Sequence, residues 1–139
     1  MKRGKLLNSE ISAVLSKMGH TDSLTIGDAG LPIPDSTTRI DLAVTPGLPG
    51  MTDVMKTVLE ELCVEKVVLA EEIRTSNPEG LEEILAILAD YEASSGYKPA
   101  MIFVPHEDFK NKSAGSRAVI RTGEVHPYAN IILYSGVTF

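Results

Sequence analysis

The sequence predicts an α/β fold: one domain over residues 1–139, built on a mainly parallel sheet with helices on both faces, a three-layer Rossmann-like arrangement. Three observations predict it. Short apolar runs alternate with segments of helical period, the pattern of strands joined by crossover helices. Two of the runs, Lys66-Val67-Val68-Leu69-Ala70 and Met101-Ile102-Phe103-Val104, are continuous, as expected of strands covered on both faces. The chain has 139 residues with 43% of them apolar. A chain of that length buries roughly two-thirds of its unfolded surface and needs no disulfide or metal to hold a core.

Each element can be justified in turn. Ile11, Val14, Leu15 and Met18 recur at i, i+3, i+4 and i+7, which predicts a helix from Ser9 to Gly19. Asn8 or Ser9 caps its start, and Gly19 is the expected left-handed residue at its end. Leu24 to Gly27 alternates as a strand and runs into Asp28-Ala29-Gly30. Leu31-Pro32-Ile33-Pro34 is an extended loop, because each proline lacks the ladder donor. Arg39 to Val44 is a second strand, closed by the turn cluster Pro46 to Gly50. A helix follows from Thr52 to Leu62, then the strand at Lys66–Ala70. Asn77-Pro78 reads as cap and first residue of a helix whose inward face is Leu81, Ile84, Leu85, Leu88 and Tyr91, stopped by Gly96. Met101 to Val104 is a buried strand, His106 to Lys110 starts a short helix, and Ala118–Ile120 and Ile131–Tyr134 are the last strands.

Composition excludes several function classes. Thirteen Lys and Arg against 19 Asp and Glu give a net charge of −6. A nucleic-acid or anionic-membrane binder would carry a clustered basic excess, and Lys2, Arg3 and Lys5 are too few. The single Cys63 excludes an internal disulfide and suits a reducing compartment. Its place at the apolar end of a helix suits an inert buried thiol. No run approaches the ~20 apolar residues of a membrane span, and no secretory h-region follows the basic start, so a cytoplasmic protein is expected. No Gly-rich phosphate loop, HExxH or GxSxG motif occurs. Four of the seven aromatics fall from Phe109 onward, so a pocket or interface is expected at the C-terminal end.

In parallel sheets, ligands bind at the carboxyl ends of the strands. Asp28, Glu71-Glu72 and His106 each follow a strand directly and are expected on that rim. Asp28, among small neighbours, is an ionised acceptor for hydroxyls, or else a turn-initiating residue. His20 precedes the first strand; an imidazole exchanges protons near neutral pH, and at a helix end it also suits the dipole. His106 suits a solvated first turn beside Glu107 and Asp108, or a site. Lys110 shares its helical face, or is a surface lysine. Tyr128-Ala129-Asn130 offers a phenol and an amide to sugar hydroxyls, or simply enters a strand. Glu71-Glu72 reads as surface carboxylates, and His126 as a loop histidine without a role.

Taken together, these stretches resemble one family, the D-ribose pyranases, within a wider group that includes fucose mutarotases. The similarity is carried by MKRGKLLNSEISAVLSKMGHTDSLTIGDAGLPIP, STTRIDLAV, AEEI and VIRTGEVHPYANIILYSGVTF. GHTD followed by DAGLPIP, with PYANIIL and GVTF at the far end, is highly specific in combination. The resemblance implies an isomerase that interconverts the β-pyranose and β-furanose rings of D-ribose, with no cofactor. It implies His20 as proton donor, and Asp28, His106, Lys110, Tyr128, Ala129 and Asn130 as substrate-binding residues. It also implies a cyclic homo-oligomer, a decamer of two stacked pentamers with sites at subunit contacts, and no nucleic-acid or membrane partner. Two other readings are an L-fucose mutarotase and a non-catalytic ribose-binding accessory of a transport system.

Overall fold

A computed structural model describes every residue, Met1–Phe139. In chain order the elements are α1 (Ser9–Lys17), β1 (Ser23–Gly27), β2 (Arg39–Asp41), α2 (Met51–Leu59), β3 (Val64–Ala70) and α3 (Ile73–Ser76). They continue with α4 (Pro78–Ser95), β4 (Ala100–Val104), α5 (His106–Ala114), β5 (Ala118–Arg121) and β6 (Ile131–Ser135). The strands form one sheet in the order β2-β5-β1-β6-β3-β4. β1 with β5, β2 with β5 and β3 with β4 are parallel, while β6 runs antiparallel to both β1 and β3. The mainly parallel sheet expected from the sequence is present, with one reversed strand near its centre. That reversal brings the start of β6 to the rim where the other five strands end.

Alternation along the strands sorts side chains between two cores. Leu24, Ile26, Val67, Leu69, Ile131 and Leu133 join the larger, a cluster of 24 buried residues that includes Ile11 of α1, Met55 of α2 and Ile84 of α4. The opposite face carries a cluster of six, Leu31, Val68, Ala70, Phe109, Val119 and Ile132. Helices therefore cover both faces, but the second layer rests on α5 through Phe109, which is fully buried. Truncating such an aromatic to Ala costs about 3–5 kcal/mol.

Helix ends follow the predicted capping chemistry in two places. The Asn8 side chain accepts from Ile11 N at 2.9 Å, and Asn77 accepts from Gly80 N at 3.0 Å with Pro78 opening α4. Each such cap contributes on the order of 1 kcal/mol. Gly96 ends α4 in the left-handed region at φ 78.

Five expectations are corrected. Gly19 is not a left-handed helix stop: α1 ends at an extended Met18, Asp22 Oδ2 accepts the Gly19 N–H, and Thr21 takes the positive φ. The inward face of α4 is Ile84, Ile87, Leu88 and Tyr91, and Leu85 is exposed. The helical period is the same, but its stripe is rotated toward Ile87. Met101 to Val104 is a strand but not a buried one, because β4 is the sheet edge, and Met101 and Ile102 remain 37% and 43% exposed. Cys63 lies between α2 and β3, only half-buried, and donates to the Val137 carbonyl at 3.3 Å. The second strand is shorter than Arg39 to Val44, because the chain turns away after Asp41 into a bridge between Thr45 and Leu48.

Candidate active site

The parallel pairing of β1, β5, β3 and β4 brings Asp28, Glu72 and His106 to one rim, and the reversed β6 adds Tyr128, Ala129 and Asn130. Asp28 is the most firmly held. Its N–H donates to Asn130 Oδ1 at 2.7 Å, and its Oδ2 accepts from Asn130 Nδ2 at 2.9 Å. Its Oδ1 accepts from Gly30 N at 2.9 Å. Asn130 is 1% exposed, so both ends of its amide are directed to Asp28 and its side chain orients the carboxylate. Each Asp28 oxygen retains a lone pair for an incoming hydroxyl.

The loop carrying Asp28 is clamped from β5. Thr122 Oγ1 donates to the Gly27 carbonyl at 2.7 Å and Arg121 Nε to the Ala29 carbonyl at 3.1 Å, while Ala29 N donates to Glu124 O at 2.8 Å. Arg121 is itself braced by both oxygens of Asp41 at 3.1 Å. The close packing requires glycine at position 27. A Cβ there would lie 2.7 Å from Leu31 Cδ2 and 3.2 Å from Asn130 Oδ1.

His106 opens α5 where Pro105 supplies no side-chain cap. Its N–H instead donates to both Glu72 oxygens, at 3.1 and 3.0 Å. That hydrogen bond holds the Glu72 carboxyl below its ordinary range. The imidazole stands edge-on to Tyr128 at 5.0 Å between centroids and lies over Phe109 at 6.2 Å. His106 Nδ1 is buried without a hydrogen-bond partner. A buried polar atom left unpaired costs about 1–3 kcal/mol, so it marks a position where a ligand hydroxyl is favoured. Tyr128 reaches this position through a left-handed backbone, φ 56, and its carbonyl accepts from Asn130 N at 2.8 Å. Lys110, one turn along α5, pairs with Glu107 at 2.6 Å.

His20 is elsewhere. It precedes β1, so it sits at the amino rim, where Nε2 lies 2.9 Å from Glu65 Oε2 and Thr21 N donates to the Ser135 carbonyl. Five residues of β1 separate the two rims, about 16 Å at ~3.3 Å per residue. Within one chain, then, Asp28, His106, Tyr128, Ala129 and Asn130 meet at the carboxyl rim, Lys110 lies one turn into α5 with Glu107 as its partner, and His20 does not join them.

Sequence reasoning places Glu72 on this rim but misses its partner, and it misses Arg121 and Thr122 altogether; the three touch the backbone around His106 and Asp28. Glu72, expected as a surface carboxylate, instead accepts from the His106 N–H through both oxygens. Its partner is 34 positions away, and only the register Ala70↔Val104 between β3 and β4 brings the two together. Glu71, by contrast, does behave as a surface group, paired with Arg74 at 2.9 Å. The other glutamate at this rim, Glu124, pairs with His126 at 2.6 Å, so His126 has a local partner and no contact with Asp28.

Comparison with known proteins bears on these residues as a set. The model of the RbsD / FucU transport protein family matches residues 1–138. A D-ribose pyranase of Yersinia enterocolitica is 55% identical over 139 residues, covering all of both chains. The structure of Bacillus subtilis RbsD complexed with D-ribose superposes with a TM-score of 0.90 at 42% identity, again over the whole of both chains. The fucose mutarotase of Streptococcus pneumoniae, in complex with L-fucose, shares the fold at a TM-score of 0.84 and 20% identity, over 100% of each chain. With the family model spanning nearly every residue and full-length identity above one half, this chain belongs to the RbsD / FucU family.

Proposed function

We propose that residues 1–139 form one catalytic domain, an isomerase that interconverts the β-pyranose and β-furanose forms of D-ribose and so supports ribose uptake and catabolism. The observation that carries this is the full-length 55% identity to a D-ribose pyranase. The rim supports it chemically: an oriented carboxylate, a phenol and an imidazole with a free buried nitrogen are partners for a polyhydroxylated ligand, and a site that pairs with hydroxyls discriminates strongly against analogues lacking them.

Ring opening needs a proton delivered to the ring oxygen O5 and another removed from the anomeric hydroxyl. The C1–O5 bond breaks as the C1 carbonyl forms. After rotation of the open chain, O4 attacks C1 and the proton movements reverse. Carbon–carbon bonds stay intact, so positioning and acid–base help suffice. A placed acid or base contributes about 10²–10⁴-fold. In this reading Asp28 accepts a sugar hydroxyl with Asn130 holding its orientation. His106, Tyr128 and the Ala129 backbone line the sugar, and Lys110 reaches its edge.

His20 is the proton donor in this reading. Since it lies at the amino rim, the His20 that serves one sugar belongs to a neighbouring copy. A cyclic assembly, a decamer of two stacked pentamers, would bring the two rims together at every subunit contact. A cytoplasmic location suits the unpaired Cys63.

Saturation-transfer NMR with excess ribose tests the activity. Exchange between pyranose and furanose signals should rise at least about 10²-fold above buffer, the lower range for placed acid–base help. Exchange at the buffer rate, with ribose still bound in calorimetry, would replace the enzyme by a binding accessory. Faster exchange of L-fucose than of ribose would change the substrate.

A further inference from the structure

The segment from Thr122 to Asn130 carries Tyr128, Ala129 and Asn130 to the rim, yet little apolar packing holds its middle. Val125 is 58% exposed and the His126 side chain 74% exposed. Between the segment and the first turns of α2 and α4 lies a mostly polar hollow of about 130 Å³, whose lining includes Asn77, Glu124, His126 and Ala129. Tyr128 nevertheless keeps a left-handed backbone, φ 56, which a bulky residue retains only where its surroundings over-determine it. Burial does not fix the segment, so its hydrogen bonds must.

Two side chains supply them. Glu124 Oε1 accepts from Val125 N and His126 N, both at 3.0 Å, and meets His126 Nδ1 at 2.6 Å. The main chain of the same residue serves the other half of the rim. Glu124 N donates to Thr122 Oγ1 at 3.2 Å, and Glu124 O accepts from Ala29 N, next to Asp28. Burial opposes charge on this carboxyl, but the His126 donors and the neighbouring N–H groups outweigh it and hold it below its ordinary range. The second side chain is Asn77, at the start of α4. Its Nδ2 donates to the Pro127 carbonyl at 3.0 Å, immediately before Tyr128, while its Oδ1 accepts from Gly80 N. Gly80 leaves room for this double contact, because a Cβ there would lie 2.8 Å from Asn77 Cγ.

From these contacts we propose that Glu124 and Asn77 are positioning residues for the sugar. Together they hold the backbone before Tyr128 so that its ring stands edge-on to His106 before ribose arrives. Neither touches the sugar, and each acts through Tyr128. Glu124 also couples the two halves of the rim, since its main chain holds the Asp28 loop and its carboxylate holds the Tyr128 segment. A group set in place beforehand costs less ordering on binding. The inference rests on the pyranase reading for its kinetic consequence, whereas the ordering of the segment is independent of it.

The test compares ribose exchange, melting and amide exchange. Glu124→Ala and Asn77→Ser should each raise the ribose KM about tenfold and change kcat less than about threefold, as expected when uniform binding is lost. Serine caps a helix about as well as asparagine but is too short to reach the Pro127 carbonyl, so Asn77→Ser should keep the wild-type Tm. A lowered Tm with unchanged KM would leave Asn77 a helix cap and nothing more. Glu124→Gln retains the Oε1 acceptor and should return KM to within about threefold of wild type. On a Tyr128→Ala background, Glu124→Ala should raise KM less than about twofold further, because residues acting through one group are not additive. Wild-type KM in Glu124→Ala, or an undiminished rise on the Tyr128→Ala background, would overturn the proposal. Amide hydrogen exchange over residues 123–130 needs no turnover, and it should be at least about tenfold faster in Glu124→Ala. If the wild-type protein exchanged no ribose, the pyranase reading would fall, and the brace would stand on that acceleration or fall with its absence.

Discussion

The two rims of the sheet are built differently. At the carboxyl rim, Asp28 is held by three hydrogen bonds, and its loop is clamped by Thr122, Arg121 and Glu124. His106 is fixed at both backbone and ring. At the amino rim, His20 is 54% exposed and has one carboxylate partner, Glu65, itself 43% exposed. Exposed ion pairs contribute about 0–1 kcal/mol, so this pair exchanges readily for another contact. The contrast teaches which of the two rims the chain holds rigid. The groups at the carboxyl rim are preorganised within the chain, as positioning a ligand would demand. The imidazole of His20, by contrast, is left with a single exposed partner.

The largest effect expected from breaking this contrast falls on the loose rim. His20→Ala should lower ribose exchange by about 10²–10⁴-fold while leaving the melting temperature within a few degrees. Unchanged exchange would remove His20 from the chemistry. On the rigid rim, Asn130→Ala strips two hydrogen bonds from Asp28 and leaves a buried N–H unpaired, a cost of about 1–3 kcal/mol. Ribose KM should rise about tenfold or more, with a smaller change in kcat, because orientation in the bound state is lost. An unaltered KM would deny Asn130 its orienting role.

Gly27→Ala probes the same rim by crowding. The added Cβ displaces Leu31 or Asn130, and overpacking of this kind costs about 1–3 kcal/mol, which calorimetry should read as a fall of several degrees in Tm. The smallest effect concerns Glu72. Its carboxyl is held below the ordinary range by the His106 N–H, so it contributes stability above that range and loses it as pH falls through its lowered value. Glu72→Gln removes this dependence. The wild type should lose Tm more steeply than the variant below about pH 4.5, the ordinary value for this group. Parallel pH profiles would dissociate Glu72 from His106.

Much of the site was legible in the linear pattern, because the rule placing ligands at strand ends needs only the order of strands and loops. Asp28 and His106 follow apolar runs directly, and that adjacency survives folding. What escaped was pairing at long range. The Glu72–His106 and Asp28–Asn130 partners are 34 and 102 positions apart, and no local period encodes them. Burial of β4 was misjudged for a related reason: a continuous apolar run reads the same at a sheet edge as at its centre.

By itself, then, the chain's pattern determined the alternation of strands and helices, the caps at Asn8 and Asn77, the stop at Gly96 and the residue types able to meet a sugar. These depend on neighbours within a few positions, where hydrogen-bond reach and helical period act directly. Tertiary structure alone decided that β6 runs backward between β1 and β3, which carries Tyr128 and Asn130 to the rim of Asp28 and leaves the tail beside His20. Strand direction follows from which pairing buries the most apolar surface on both faces, and that is a property of the whole sheet.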